Sequence, residues 1–571
     1  MKRLSKTGKK SPRPIQRNRR QLSTALIIIP MVAAGLTIYY VLSNSIMAQF
    51  ANLANTRLTT PGWRSAAAAL SSSKPTYGTK FSYYKLQEGQ SLAWAANHFS
   101  VSLAKLQQLN PGNVVWGTTI MVPPVEQPLQ PFPVSAATTS GIVPSEIDGI
   151  IYIKNSFQNQ EALVTIPQLM DLLKPYGAIS QLGPKKFLLN KPLFIQDNIQ
   201  VDITSDTVTN LLLRSSPNYD ITTLTFQNSE ALIKGVSVSS FDPATSRPDT
   251  NYTDGRSFVR AYENSRMDVI DSNFSYLGMG LKQLRNPPTE SSLKFVPDGG
   301  VYGISWRISS GTYGQQIVTG WVQNSTFEHN YIGGFTFGAS GMMWQGNLFT
   351  NNTVYGLDPH DDSDNATIED NRFISNGKHG FIVSKRCDYN VIKDNVSVDN
   401  TLHGFMLHDN SDYNIIENNI SIGNSDNFVI LGSSFNQISN NKSYNPRNSA
   451  IRINTGPDEG KVSLDNYVVN NLIYGGKKGV YLYGGINGAD ITGNTFYNVT
   501  NQLVTKGTQE ALYTGNQSNS LGYQVGGKDR VVFGVNSIND AKVDTTPLNR
   551  VTKYKQPKSN SSVLPSDDAA Y

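Results

Sequence analysis

Four of the chain's six histidines fall at related positions. His379 and His403 are 24 residues apart, Tyr355 lies 24 before His379, and His408 lies 48 beyond His360. Asp358 precedes His360 by two residues, and Lys378, Lys385, Arg386 and Arg452 lie in the same stretch. A histidine that titrates near neutrality can take a proton from a substrate, a carboxylate can orient its ring, and cations can stabilise the anion left behind. Any one of these histidines alone reads as a surface or satisfied core residue; scattered histidines do not align with a repeat. Three histidines also suit zinc, but columns of them on flat outer strands, without a local ligand motif, disfavour a metal. No G-G-x-G-x-D nonapeptide repeat marks calcium modules, and no cofactor is expected.

The element that must position these side chains is an internal repeat. Asparagine recurs at Asn324, Asn347, Asn371, Asn395, Asn419, Asn441, Asn471 and Asn494, in steps of 23, 24, 24, 24, 22, 30 and 23. Short apolar strands separated by Asn, Gly and Asp turns imply a right-handed parallel β-helix, an all-β solenoid, over 146–540. The leucine skeleton of a leucine-rich repeat is missing, and a propeller blade needs ~40–45 residues. The asparagines are expected to stack inward as a ladder. With the repeat as a ruler, Phe381 and Val383 match Phe405 and Leu407, Val429 and Leu431, and Ile451 and Ile453 as inward positions. Ile382 and Ser384, Met406 and His408, and Arg452 and Asn454 then face outward. One step back, Asp358 and His360 share the outer face, with Asp358 placed to orient the His360 ring. A short helix over 166–173 is expected to cap the open end.

Composition bounds the rest. The single cysteine, Cys387, excludes a disulfide scaffold and a multi-Cys zinc site. Residues 1–20 hold nine Lys/Arg and no acid; without them, 40 basic residues face 43 acidic ones, which excludes a general nucleic-acid binder. Residues 21–42, led by this basic cytoplasmic tail, read as a transmembrane anchor, because about 20 apolar residues span a bilayer. The charge asymmetry puts the N-terminus in the cytoplasm and the rest outside, at the cell surface or in the periplasm; a cleaved secretory signal is the alternative. Residues 43–80 read as a spacer, 126–145 as a Pro/Ser/Thr linker, and 541–571 as a disordered C-terminal tail.

Two stretches carry family resemblances. Residues 81–125 include Glu88-Gly89-Gln90-Ser91-Leu92, Leu109-Asn110-Pro111-Gly112 and Val122-Pro123-Pro124, and resemble a LysM domain. That resemblance implies a βααβ fold and a ligand among N-acetylglucosamine-containing glycans, usually peptidoglycan. Tyr355-Gly356-Leu357-Asp358-Pro359-His360-Asp361, followed by Lys378-His379-Gly380 and Ser384-Lys385, resembles the mannuronan (alginate) C5-epimerases with a right-handed β-helix. The resemblance implies His360 as catalytic base, with Asp358 and Tyr355 as catalytic partners. The family's carboxylate-neutralising arginine falls at Lys385, with Arg386 one step on. Arg386, Lys378, His379, His403, His408 and Arg452 are expected to bind substrate. Removing the weakly acidic proton α to a uronate carboxylate needs a cation on the carboxylate, a base, and a second group that returns a proton to the opposite face. The same first step followed by β-elimination gives a polyuronate lyase; a non-catalytic carbohydrate-binding scaffold is the third reading.

Overall fold

The computed structural model describes residues 82–86, 90–99, 101–157, 161–217, 220–280, 301–313, 315–455, 463–539 and 543–555. The chain divides into a unit of residues 1–77 and one of residues 78–571. The stretches expected as a basic tail, a transmembrane anchor and a spacer lie outside the described residues. Among the described residues, no helix is long and apolar enough to cross a membrane.

From Ile142 to Ile538 the chain winds as a parallel β-helix of three long sheets. One of them, here the site sheet, contains Leu357–His360, Phe381–Ser384, His403–His408, Asp426–Leu431, Ser449–Asn454, Lys478–Tyr483 and Asn501–Lys506 as successive parallel neighbours. An antiparallel pair, Ile142–Ile147 with Ile150–Asn155, opens this sheet. The helix Ile166–Leu172 buries Ile166 and Leu169 at that end, and its first turn is fixed by Thr165 donating to Gln168 Oε1. Leu357, Phe381, Val383, Phe405 and Leu407 are fully buried inside the coils.

The register departs from expectation at one step. Phe405 pairs with Phe428 and Met406 with Val429, so Phe428 and Ile430 point inward and Val429 and Leu431 outward. The coil between His403 and Asp426 is one residue shorter than the two before it. Because strand side chains alternate, a slip of one residue exchanges the faces.

The asparagine ladder runs inside. Each amide from Asn347 through Asn371, Asn395, Asn419, Asn441, Asn471 and Asn494 to Asn516 donates to the Oδ1 of the next, and that oxygen also accepts the neighbour's backbone N–H. Two further ladders stack Asn352, Asn376, Asn400 and Asn424, and Asn390, Asn414, Asn436 and Asn466. Asn324 is not a rung. It is exposed with φ 50°, and Ser325 occupies its place by donating its N–H to Asn347 Oδ1.

Residues 82–122 form a strand, two helices and a strand, with Ser82–Lys85 antiparallel to Thr119–Val122. Their small core of Tyr84, Leu86, Phe99 and Leu106 takes in Ile317 from the solenoid. His98 Nδ1, 2.6 Å from Glu230 Oε1, ties this module to the coils.

The stretch expected as a linker is instead strapped along the solenoid. Leu129 donates its N–H to Asp268 and Phe132 to Asp202, while Arg266, in a fully buried pair with Asp268, donates to the Gln127 carbonyl. Buried carboxylates need such donors, which is why this Pro-rich segment is held. At Gly341 (φ 61°) a Cβ would sit 2.5 Å from Pro124 Cα, so only glycine allows the strap to pass.

The tail departs from expectation too. Residues 543–555 form the helices Thr546–Asn549 and Val551–Tyr554, whose Leu548, Val551 and Tyr554 cover Val398, Ile422 and Tyr444. That apolar patch on the outside of the coils supplies the burial a free tail would lack. Residues 556–571 lie outside the described residues.

Candidate active site

The outward side of the site sheet carries a floor and two edges. In the register, Phe335 neighbours Asp358, Ile382 neighbours Met406, then Val429, then Arg452. Ile382, Met406 and Val429 form a small apolar cluster against which Tyr355 and Leu431 pack. Asp358 belongs to this floor and is only 3% exposed. Burial pushes its carboxyl up to about 7, against the pull of His360, a Ser384 hydrogen bond and Lys385. Its Oδ1 has no hydrogen-bond partner among the described residues. Expected as an orienting group on an open face, Asp358 is instead a carboxyl sunk in the floor that holds its proton up to about neutrality.

One edge is the row Phe337, His360, Ser384 and His408. Here the carboxylate that meets His360 is Asp361, whose Oδ2 lies 2.6 Å from Nδ1. Burial raises Asp361, but its contact with His360 and the charges of His360, Lys385 and Arg386 outweigh this and hold it below the usual value. An ionised Asp361 beside Nδ1 favours a proton on that nitrogen and so leaves Nε2 as the basic atom, although the 2.6 Å contact lacks the alignment of a hydrogen bond. The simple alternation of a strand does not foresee this, because the chain leaves the strand at once. Asp361 and Asp362 both have positive φ, as do Lys385 and Arg386, and Asp409 and Asn410, one and two coils on. These turns stack: Asp361 donates its N–H to the Ser384 carbonyl, and Lys385 to that of His408. Two left-handed non-glycine residues in succession store strain of order 1–3 kcal/mol each. The visible signal was the pair of Asx or charged residues recurring at the same spacing of 24.

The other edge is a ring column. Tyr355 stacks on His379 at 5.1 Å between centroids, and His379 on His403 at 4.8 Å. The His403 N–H approaches His379 Nδ1 at 3.4 Å, leaving His379 Nε2–H as a donor. Arg452 Nη2 donates to His403 Nε2 at 3.0 Å, while Asp426 Oδ2 lies 3.4 Å from His403 Nδ1 and 3.3 Å from Arg452 Nε. Asp426, absent from the sequence reading, is itself fixed by Asn448 and the Ser449 N–H. Burial, then the neighbouring His403 and nearby cations, push His379 down to about 2; burial pushes His403 down to about 4. Both are neutral donors and acceptors at physiological pH rather than cations. Burial, with Asp358 nearby, pushes the Tyr355 hydroxyl up to about 12, so it keeps its proton.

The fold thus brings together Tyr355, Asp358, His360, His379, His403, His408 and Arg452. Lys378 sits 5.9 Å over the Tyr355 ring, exposed. Lys385 makes no ion pair among the described residues. Arg386 is committed elsewhere: its Nε and Nη2 bond both oxygens of Asp362, and Nη2 also meets Asp361 Oδ1 at 2.9 Å. These partners hold the Arg386 guanidinium above its usual value. Among the described residues, no group of three or more His, Cys, Asp or Glu is arranged to hold a metal ion.

Residues 303–421 match the model of the right handed beta helix region, and residues 382–528 that of the periplasmic copper-binding protein NosD. The mannuronan C5-epimerase of Pseudomonas aeruginosa is 25% identical over 212 residues, 36% of this chain and 35% of that protein. The mannuronan C5-epimerase AlgG of Azotobacter vinelandii is 40% identical over 53 residues, 9% of this chain and 10% of that protein. The matches therefore span about a third or less of the curated relatives' length. A crystal structure of the periplasmic alginate epimerase AlgG superposes with a TM-score of 0.52 at 17% identity, over 83% of this chain and 96% of that one. The chain is similar in sequence to mannuronan C5-epimerases over about a third of its length and shares the β-helix fold of AlgG.

Proposed function

We propose that this chain is an extracytoplasmic C5-epimerase that converts β-D-mannuronate to α-L-guluronate, or inverts a related uronate, within a polymer. The observation that carries the reading is the His360–Asp361 contact of 2.6 Å at one edge of a floor whose other edge holds protonated Tyr355. His360 Nε2 takes the proton α to the carboxylate. Asp361 stabilises the imidazolium that forms, and the protonated carboxyl of Asp358 with the Lys385 ammonium bears the negative charge growing on the substrate carboxyl. Tyr355 returns a proton to the opposite face, which inverts the carbon. Arg386, tied to Asp361 and Asp362, holds the base's partner rather than the substrate.

Support for the location comes from the likeness to the periplasmic proteins NosD and AlgG, together with the charge asymmetry of residues 1–42. The strand–helix–helix–strand module, with Tyr83 and Trp116 exposed, supports a LysM-type hold on N-acetylglucosamine glycan. Full-length protein then sediments with peptidoglycan; protein that stays in the supernatant at low and moderate salt removes the tether.

The test is incubation with polymannuronate. Guluronate signals in the proton NMR spectrum at unchanged chain length are expected. Ultraviolet absorbance from an unsaturated uronate, with shortening chains, means a lyase, and no change at all means a scaffold.

A further inference from the structure

Past the reacting residues, the same outward face continues onto coils that the chemistry does not use. Arg452 is followed in register by Tyr481, and Asn454 by Tyr483 and then Lys506. Lys478 Nζ sits 4.2 Å from the Tyr481 ring centroid, and Lys506 Nζ 5.4 Å from that of Tyr483. The two tyrosine rings are 5.9 Å apart, and Tyr483 is 42% exposed. Neither ammonium forms an ion pair among the described residues, although Lys478 donates to Asn448. Two other lysines on the outside of this solenoid do meet acids: Lys393 meets Glu369 and Lys442 meets Asp544.

Two unpaired ammonium groups held over two tyrosine rings form a platform for a sugar that carries a carboxylate. The ring offers an apolar face to the C–H side of a pyranose, and the ammonium offers a charge to its acid. Coils stack about 4.8 Å apart, close to the advance of one pyranose unit along a polymer. Tyr483 lies five coils beyond His360, so the platform is about 24 Å from the base. We infer that Lys478, Tyr481, Tyr483 and Lys506 form a remote polyuronate-binding platform that grips the polymer five to six units from the reacting residue and gives the site its chain-length preference. The inference rests on the polyuronate reading above. Arg452, paired with Asp426, lies between site and platform.

The test compares oligomannuronates of four units, too short to reach from His360 to the platform, with those of ten. In the wild type, kcat/KM rises about tenfold or more from the short to the long substrate, the scale of two exposed charge contacts together with ring stacking. The double variant Lys478→Gln/Lys506→Gln, with Tyr483→Ala as an independent second variant, loses this rise while turning over the tetramer as the wild type does. A flat length dependence in the wild type overturns the inference, and so does an equal loss on both lengths. Should no oligomer be turned over, the epimerase reading fails, and calorimetric binding of the same two oligomers decides. Tighter binding of the long one, lost in the variants, sustains the platform; equal or absent binding overturns it.

Discussion

The coils between Asn347 and Asn454 bury polar groups on both faces, with opposite results. Inside, the amides of Asn347, Asn371, Asn395 and Asn419 are wholly buried and bonded on both sides, the oxygens of Asn371, Asn395 and Asn419 each accepting twice. Outside, Asp358 Oδ1 is buried with no hydrogen-bond partner among the described residues, burial holds His379 neutral down to about 2, and burial raises the Asp358 carboxyl to about 7. Burial with full hydrogen bonding fixes a unique stack of coils. Burial without it leaves groups whose proton affinity is displaced, which is the condition for acid–base work. Both faces rest on one backbone, so variants on the two faces separate stability from chemistry.

The largest effect falls on the outside. His360→Ala loses about 10²–10⁴-fold in epimerisation rate, the usual scale of a general base, while its melting temperature stays near the wild type because the side chain is outside the core. An active His360→Ala protein sinks the assignment. Inside, the reverse is expected. Asn395→Ala removes the acceptor of the Asn371 backbone N–H and of one Asn371 amide N–H, and a donor to the Ile368 carbonyl. It lowers stability by about 1–3 kcal/mol for each group left without a partner, with turnover per folded molecule unchanged. Denaturant titration and active-site-normalised rates check the pair.

A smaller effect distinguishes a buried carboxyl from a ladder amide by its pH dependence. Burial raises the folded pKa of Asp358 to about 7 from the ordinary 3.8 of an aspartate. The folded state therefore holds a proton that the unfolded state has lost between those values, and stability falls as pH rises through that window. Asp358→Asn removes the titration, so the variant gains stability relative to the wild type from pH 4 to pH 7 and no further above it. A difference in melting temperature that is independent of pH contradicts the burial argument. The smallest effect is at Asn324: it is off the ladder and exposed, so Asn324→Ala costs only the poorer fit of alanine to φ 50°, about 1 kcal/mol, whereas Asn347→Ala also leaves buried groups without partners and costs more.

What the sequence showed follows from the same contrast. The solenoid was legible because interior positions repeat: Asn371, Asn395 and Asn419 obey one spacing, and Phe381, Phe405 and Val383 obey its alternation. The register slipped where the spacing did, at the short coil ahead of Asp426, which moved Val429 to the floor. The cluster of Tyr355, Asp358, His360, His379 and His403 was legible for the same reason. The partner of His360 was not, since Asp361 reaches Nδ1 through a left-handed turn that a strand template does not contain. Asp426 was not either, because it faces His403 across a coil of different length. The strapped segment and the C-terminal helices were missed because composition reports Pro and Ser but not the buried Asp268 and Asp202, or the apolar patch around Tyr444, that hold them down.

The central claim, proton abstraction at C5 by His360, is tested most directly by incubating polymannuronate with the protein in deuterium oxide. The account predicts deuterium at C5 of guluronate residues in chains of unchanged length with the wild type, and at least a hundredfold less, in line with loss of a general base, with His360→Ala. Deuterium incorporation by His360→Ala at the wild-type rate, or its absence from both proteins, contradicts it.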